Sequence, residues 1–297
     1  MNISAFNHLF TGQNKLNCLF SCLMLLISIE AYAMNTASEQ RWAEQLRDNI
    51  VIGEALELPL SAPQTAPDSS GTKNSNTFFS IYTPHTTAKS RGAVVLMHGT
   101  GAHPDWNDII HPLRVELPDK GWATLSIQLP LVFPDKKDVQ SRTQVIESSV
   151  PRIDAAINFL RAKGYDYISI VAHSFGTLMS LNYLQHKVDN VAPKGTLVIN
   201  SAVIIGTPSS GTSAPLNSPV MIEKIKIPLL DLYGSKDLDS VMRSAKARKT
   251  AARKIPNKQF RQVQTIGADH FYRGLDEELV VYITNWLNKT HSSPINQ

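Results

Sequence analysis

Short apolar runs alternate with longer amphipathic segments along the chain from residue 78 onwards. Each apolar run is bounded by glycine, proline or polar residues, which is typical of a buried strand. These runs predict strands over residues 78–82, 93–97, 124–129, 168–172, 196–200, 227–233 and 260–266.

The segments between the runs have the spacing of amphipathic helices. The segment that starts at Ser149 and closes at Lys163-Gly164 places its apolar residues on one face, namely Ile153, Ala156, Ile157 and Leu160. Further helices are predicted over residues 175–186, 238–255 and 275–287. Because whole apolar strands alternate with helices, we expect a mostly parallel sheet that helices cover on both faces.

The first 33 residues have the features of a secretory signal peptide. Lys15 supplies a positive charge, residues 16–29 are apolar, and Ala31-Tyr32-Ala33 has the small-x-small pattern of a cleavage site. The apolar run is shorter than the ~20 residues of a membrane span. We therefore predict cleavage after Ala33 and a periplasmic or secreted protein, with a retained anchor as the alternative. Both cysteines, Cys18 and Cys22, lie in this segment, so the exported chain would contain no disulfide.

The rest of the chain divides by composition. Residues 34–76 are predicted to form an N-terminal arm and a polar loop, since residues 35–48 are helix-prone and residues 59–76 are rich in Ser, Thr, Pro and Gly. A single α/β domain is expected over residues 77–290, followed by a tail over residues 291–297.

The net charge and the distribution of basic residues indicate which kinds of partner the protein could bind. The formal net charge is only +4, and no dense basic face with interleaved aromatic residues is evident, so we expect no nucleic-acid partner. One basic segment has no acid between residues 239 and 269. It is either a solvated helix face or a contact for an anionic envelope surface or an acidic partner, and on a helix its stripe consists of Arg243, Lys246, Lys249 and Arg253.

Ser174 is the candidate nucleophile. It follows the predicted strand over residues 168–172 and precedes a predicted helix, where a sharp turn lifts a hydroxyl above the sheet edge. Gly176 is one of the two small residues that such a turn requires, and Ala172 stands where glycine is usual. A serine that merely caps the helix is the alternative.

A serine hydroxyl needs a base to take its proton, and the base needs an acid to orient it. His270 follows the last predicted strand, which is the expected place for the base. Asp237 follows the predicted strand over residues 227–233 and is the predicted acid. Asp239 is the alternative if that strand ends two residues later.

Acyl transfer also needs donors for the oxyanion that develops on the carbonyl oxygen. The strand over residues 93–97 is followed by a glycine-rich loop, residues 98–103, whose backbone can turn towards Ser174. We predict that the backbone N–H groups of Thr100 and Phe175 form the oxyanion hole.

The chain resembles the α/β-hydrolases over about residues 78–287, with the site residues in the order serine, aspartate, histidine. More narrowly, the loop HGTGAHPDW (residues 98–106) and the strand GWATLSIQLP (residues 121–130) are similar to a family of exported bacterial α/β-hydrolase-like proteins of uncharacterised function. The resemblance implies an α/β-hydrolase fold and a serine hydrolase that cleaves an acyl bond through an acyl-enzyme. A carboxylic ester is the expected substrate, with thioesters and amides as alternatives, and no cofactor is implied.

The sequence was also searched for a metal site and for a lid over the active site. Four histidines are near one another in sequence or in the predicted fold, but they lack a tight ligand spacing, so no metal site is expected: His98, His103, His111 and His173. The segment from Ser201 to Lys226 is where many hydrolases insert a lid, and its Pro, Ser and Gly content predicts a loop instead. A non-catalytic binding module on the same scaffold is the alternative function.

Overall fold

The computed structural model describes residues 37–60, 77–131, 138–187, 199–254 and 259–292. The predicted signal peptide and most of the predicted polar loop and C-terminal tail lie outside these residues. Within the described ranges, no helix is both long and apolar enough to cross a membrane.

The described residues form one eight-stranded sheet. The strands lie in the order β1-β2-β4-β3-β5-β6-β7-β8; β2 pairs antiparallel with β1 and β4, and the remaining pairs are parallel. Their bounds are β1 (Glu54–Pro59), β2 (Thr77–Thr83), β3 (Gly92–Met97), β4 (Trp122–Ile127), β5 (Ile168–His173), β6 (Ser201–Ile205), β7 (Leu229–Lys236) and β8 (Phe260–Asp269).

Helices cover both faces of the sheet, as predicted. The first helix, α1, spans residues 37–47. The others are α2 (Ile110–Glu116), α3 (Val139–Ser148), α4 (Val150–Ala162), α5 (Phe175–Lys187), α6 (Ser218–Ile222), α7 (Asp239–Ala252) and α8 (Asp276–Ser292), with a 3₁₀ turn at Pro118–Lys120. Helices α2 and α8 pack on one face, and α3 to α7 contribute to the core on the other.

The central strands are apolar along their whole length because both of their faces are buried. In β3, Val94 and Leu96 pack towards α2 and α8, whereas Val95 and Met97 pack towards α4 and α5. The period-2 alternation of a strand thus sends successive side chains into two separate apolar layers.

One strand begins later in the chain than predicted, and one strand was not predicted. Of the strand predicted over residues 196–200, residues 196–198 lie outside the described residues, and residues 199–200 are not in a strand. The strand of this region is β6 at Ser201–Ile205, inside the segment interpreted as a loop, where Ser201 pairs with Ser169 of β5. Two apolar runs follow one another here, and the register with β5 selects the second. The predicted arm also contains a strand, β1, which pairs with β2 and buries Leu58.

The segment between β6 and β7 is short. Residues 206–228 contain a single helix, α6, of five residues. The described structure thus has no large lid over the carboxyl ends of the strands, in agreement with the prediction from composition.

Candidate active site

Ser174 lies in a strained turn at the carboxyl end of β5. Its φ is 53°, a left-handed conformation that non-glycine residues seldom adopt, and its backbone N–H donates to the carbonyl of Ile205 at 2.9 Å. Gly176 has no space for a side chain, because a Cβ there would lie 2.4 Å from the carbonyl oxygen of His98. Ala172 is fully buried in the core, so its methyl group fits where glycine is usual.

The three predicted site residues come together at this edge of the sheet. Nε2 of His270 lies 2.9 Å from Oγ of Ser174, and Nδ1 lies 2.6 Å from Oδ1 of Asp237. Because a carboxylate only accepts, Nδ1–H donates to Asp237, which leaves Nε2 to accept the serine proton. Asp239, the alternative acid, is exposed instead and pairs with Arg243 at 3.2 Å.

Asp237 is held as a carboxylate by its hydrogen bonds. Its side chain is buried, which opposes ionisation, but donation from His270 and from two backbone N–H groups outweighs burial and lowers its pKa below the usual value. The two backbone donors are Leu238, at 2.7 Å, and Gly234, at 3.2 Å. Asp237 therefore presents a fixed negative charge to the imidazole.

The loop that carries His270 is fixed from both sides. Asp269 accepts hydrogen bonds from the N–H groups of Phe271 and Arg273 at 2.9 and 3.2 Å. His173 donates from Nε2 to the carbonyl oxygen of His270 at 3.0 Å, and the two rings lie 4.8 Å apart. Burial, followed by the neighbouring His270, lowers the pKa of His173 to about 3, so its ring stays neutral.

The glycine-rich loop after β3 lies against the nucleophile. A Cβ on Gly99 would come within 2.8 Å of Cβ of Ser174, so only glycine allows this approach. Nε2 of His98 accepts the N–H of Leu129 at 3.0 Å, and its Nδ1–H therefore donates to the carbonyl of Gly99 at 2.9 Å. Burial lowers the pKa of His98 to about 3 and preserves this neutral form.

This arrangement fixes the direction of the predicted Thr100 donor. The carbonyl of Gly99 and the N–H of Thr100 belong to one planar trans peptide and point in opposite directions. The second predicted donor, Phe175, is the first residue of α5, and its N–H has no acceptor within the helix. Phe175 thus directly follows Ser174 in sequence, and Thr100 directly follows Gly99, which lies against Ser174.

Two other histidines, His103 and His111, have protein partners of their own. His103 lies between Trp42 and Trp106, with ring centroids 5.5 and 5.3 Å apart, and His111 pairs with Asp105 at 2.8 Å. Over the residues that the structure describes, no group of three or more His, Cys, Asp or Glu side chains is arranged to hold a metal ion.

The basic stripe lies on and just beyond α7, where all four side chains are exposed: Arg243, Lys246, Lys249 and Arg253. Contact with an anionic envelope surface stays a prediction. Arg248, from the same basic segment, is fully buried and pairs with Asp231 at 2.8 Å. The run of basic residues thus combines exposed charges with one buried ion pair.

The sequence was compared with protein-family models and with curated proteins. The model of a family described as "protein of unknown function (DUF3530)" matches residues 22–143 and 132–289. No curated protein matches the chain.

Solved structures with the same fold include three bacterial or archaeal hydrolases. A dienelactone hydrolase from Anabaena variabilis is 16% identical with a TM-score of 0.56, and covers 80% of this chain and 98% of its own. A serine hydrolase without a lid from Xanthomonas campestris is 13% identical, with a TM-score of 0.55 and coverages of 82% and 97%. An esterase from Pyrococcus furiosus is 14% identical, with a TM-score of 0.58 and coverages of 82% and 92%.

At these identities the likeness concerns the fold, which is the predicted α/β-hydrolase fold without a large lid. The family model spans most of the chain, from the apolar segment near the N-terminus to α8. The chain therefore belongs to the DUF3530 family of proteins of unknown function and has an α/β-hydrolase fold.

Proposed function

We propose that the protein is a serine hydrolase that cleaves an acyl bond, in the simplest case a carboxylic ester. The observation that carries this proposal is the unbroken chain of hydrogen bonds from Ser174 through His270 to Asp237, at 2.9 and 2.6 Å. A nucleophile, a base and an orienting acid within hydrogen-bond reach have the geometry that nucleophilic catalysis requires. The hydrolases and the esterase among the structural neighbours support the same reaction class.

In the first half of the reaction, Oγ of Ser174 attacks the acyl carbonyl carbon while Nε2 of His270 takes the hydroxyl proton. Asp237 stabilises the imidazolium that forms, and the N–H groups of Thr100 and Phe175 donate to the tetrahedral oxyanion. As the intermediate collapses, His270 returns the proton to the leaving group, and an acyl group remains on Ser174.

In the second half, water replaces the leaving group. His270 takes a proton from the water, whose oxygen attacks the acyl carbonyl. As the second tetrahedral intermediate collapses to a free acid, His270 returns the proton to Oγ of Ser174. The same donors stabilise the oxyanion in both halves, so no metal or cofactor is required for the cycle.

The proposal also includes a location for the enzyme and a size class for its substrate. The predicted signal peptide supports action in the periplasm or outside the cell. The short segment between β6 and β7 favours small or soluble esters over long-chain lipids, because no large apolar lid is present to cover an acyl chain in the described part of the chain.

A fluorophosphonate tests the proposal directly, since it reacts with activated serines. The chain from Met34 onwards, exposed to the reagent and analysed by intact mass, should gain one adduct that maps to Ser174. The Ser174→Ala variant should fold equally well by circular dichroism and gain none. A folded wild-type protein that takes up no adduct would contradict the proposal and favour a non-catalytic binding module.

A further inference from the structure

Helix α1 packs against the loop that carries the predicted oxyanion donor. Trp42 of α1 contacts His103 edge-on, with ring centroids 5.5 Å apart. Glu39 of α1 pairs with Arg152 of α4 at 2.8 Å and accepts the N–H of Leu131 at 3.3 Å. The side chains of Glu39 and Arg152 are only 12% and 14% exposed. Such an enclosed ion pair costs free energy if either partner is lost, because the other charge remains buried.

Hydrogen bonds continue from this ion pair to the oxyanion loop. Nη1 of Arg152 donates to the carbonyl of Gln128 at 2.9 Å. The next residue, Leu129, donates its N–H to Nε2 of His98, and His98 holds the carbonyl of Gly99. Because that carbonyl and the N–H of Thr100 share one peptide plane, the chain of contacts ends at the oxyanion donor.

We propose that α1 holds the oxyanion loop in its working geometry, and that Glu39 and Arg152 are positioning residues for the hydrolase. This inference rests on the proposed function. An oxyanion donor must lie within about 3 Å of the developing charge, and the loss of one donor lowers the rate on the order of 10²- to 10³-fold. If the loop shifts only slightly, the donor stays near the oxyanion, so the rate of bond formation should fall by a smaller factor, about 10-fold. The affinity for the reagent should change little.

Fluorophosphonate kinetics separate these two effects without a known substrate. We expect Glu39→Gln to lower the limiting rate of Ser174 modification about 10-fold or more while the half-saturating reagent concentration stays within about twofold. Glu44→Gln, on a residue of the same helix that has no part in this ion pair, is the matched control and should change neither. Exchange of the two charges, Glu39→Arg with Arg152→Glu, should recover no rate, because a carboxylate at position 152 cannot donate to the carbonyl of Gln128, and a recovered rate would contradict this chain of contacts.

The outcomes distinguish the two proposals. If wild type reacts and Glu39→Gln reacts at the same limiting rate, the role of α1 is refuted and the hydrolase proposal stands. The role of α1 is likewise refuted if Glu39→Gln only unfolds at a lower temperature. If folded wild type does not react, both proposals fail.

A second, independent observation concerns Arg142 of α3. Its guanidinium lies 5.1 Å from the ring centroid of Phe175, the residue after the nucleophile, and the side chain is half-buried on α3. Four other arginines of the described chain lie over aromatic rings, and each also pairs with a carboxylate: Arg47, Arg152, Arg248 and Arg273. Among the described residues, Arg142 has no such carboxylate.

We infer that Arg142 supplies a binding site for a carboxylate of the substrate, so that the preferred ester carries a negative charge on its acyl part. This inference also rests on the proposed function. A half-buried guanidinium has lost part of its hydration, which lowers its pKa but leaves it charged, and a ligand carboxylate restores charge-assisted hydrogen bonds in two parallel contacts. The cation–π contact with Phe175 holds the guanidinium against the side chain of the residue that follows the nucleophile.

Two nitrophenyl esters of similar length test this assignment: the charged 4-nitrophenyl hydrogen glutarate and the neutral 4-nitrophenyl valerate. Wild type should prefer the glutarate, and Arg142→Met should lower kcat/KM for it about 10-fold or more while valerate hydrolysis stays constant. Arg243→Met, on an exposed arginine of α7, is the control. Equal losses on both esters, or no preference in wild type, would overturn the assignment, whereas continued fluorophosphonate labelling of Ser174 would leave the hydrolase proposal intact.

Discussion

Replacement of Gly206 by alanine probes the packing behind the histidine. Gly206 directly follows β6 and has a φ of 59°. A Cβ at this position would lie 2.9 Å from both Cε1 and Nδ1 of His270. Since non-bonded heavy atoms are comfortable at about 3.5–4.0 Å, the imidazole would have to move by more than about 0.5 Å.

Such a movement acts on both hydrogen bonds of the ring. Nδ1 lies 2.6 Å from Asp237 and Nε2 lies 2.9 Å from Ser174, so neither contact tolerates a shift of this size. A misplacement of about 1 Å costs on the order of 10²-fold in rate, so we expect Gly206→Ala to lower the rate about 10- to 100-fold. The left-handed backbone adds a stability cost of about 1–2 kcal/mol.

Gly211→Ala separates the two effects. Gly211 lies in the same connection, has a φ of 69°, and has no atom within 4 Å of the position of an added Cβ. Urea denaturation should show a similar loss of stability in both variants. The rate of fluorophosphonate labelling should fall only in Gly206→Ala. If Gly206→Ala reacts as fast as wild type, or if Gly211→Ala slows equally, His270 is not held by this packing and the reasoning is wrong.

Two further predictions concern charge. Asp237→Asn should lower ester turnover about 10⁴-fold, because an amide cannot hold His270 in the required tautomer, whereas Asp239→Asn should stay near wild type; equal effects would reverse the assignment of the acid. Burial holds the pKa of His98 and His173 at about 3, against an ordinary value of 6.5. As the pH falls below 6.5, these histidines become protonated in the unfolded chain but stay neutral in the folded protein. The free energy of unfolding therefore decreases by up to about 1.4 kcal/mol per pH unit for each histidine. Urea unfolding between pH 4 and 7 should show a slope smaller by that amount in His173→Asn, and an unchanged slope would contradict a buried neutral ring.

The local pattern of the sequence was sufficient for most elements. The central strands are apolar on both faces and the helices repeat their apolar residues every three to four positions, so each element type is encoded within a few residues. The errors lie where local pattern is ambiguous. Residues 196–200 and 201–205 are both apolar enough to form β6, and only the pairing with β5 shows that the second run does so. Strand β1 buries only Leu58 fully, and its place depends on β2 rather than on its own sequence.

In the candidate site, too, some residues could be predicted from the local sequence and others could not. Chain order and position after a strand were sufficient to predict that Ser174, Asp237 and His270 lie together, because the carboxyl ends of parallel strands meet at one edge of the sheet. The residues behind them carry no local signal. Glu39 and Arg152 are separated by 113 residues, and nothing in either neighbourhood predicts that they pair.

The sequence by itself determined the class of fold and the three residues whose type and order define the proposed chemistry. Tertiary structure decided which charges are buried, such as Arg248 beside Asp231, and which hydrogen bonds direct the peptide of Thr100 and the ring of His270. The physical reason is that periodicity is a property of neighbours along the chain. The partner of a polar side chain is instead chosen by burial, which exists only after distant elements have packed together.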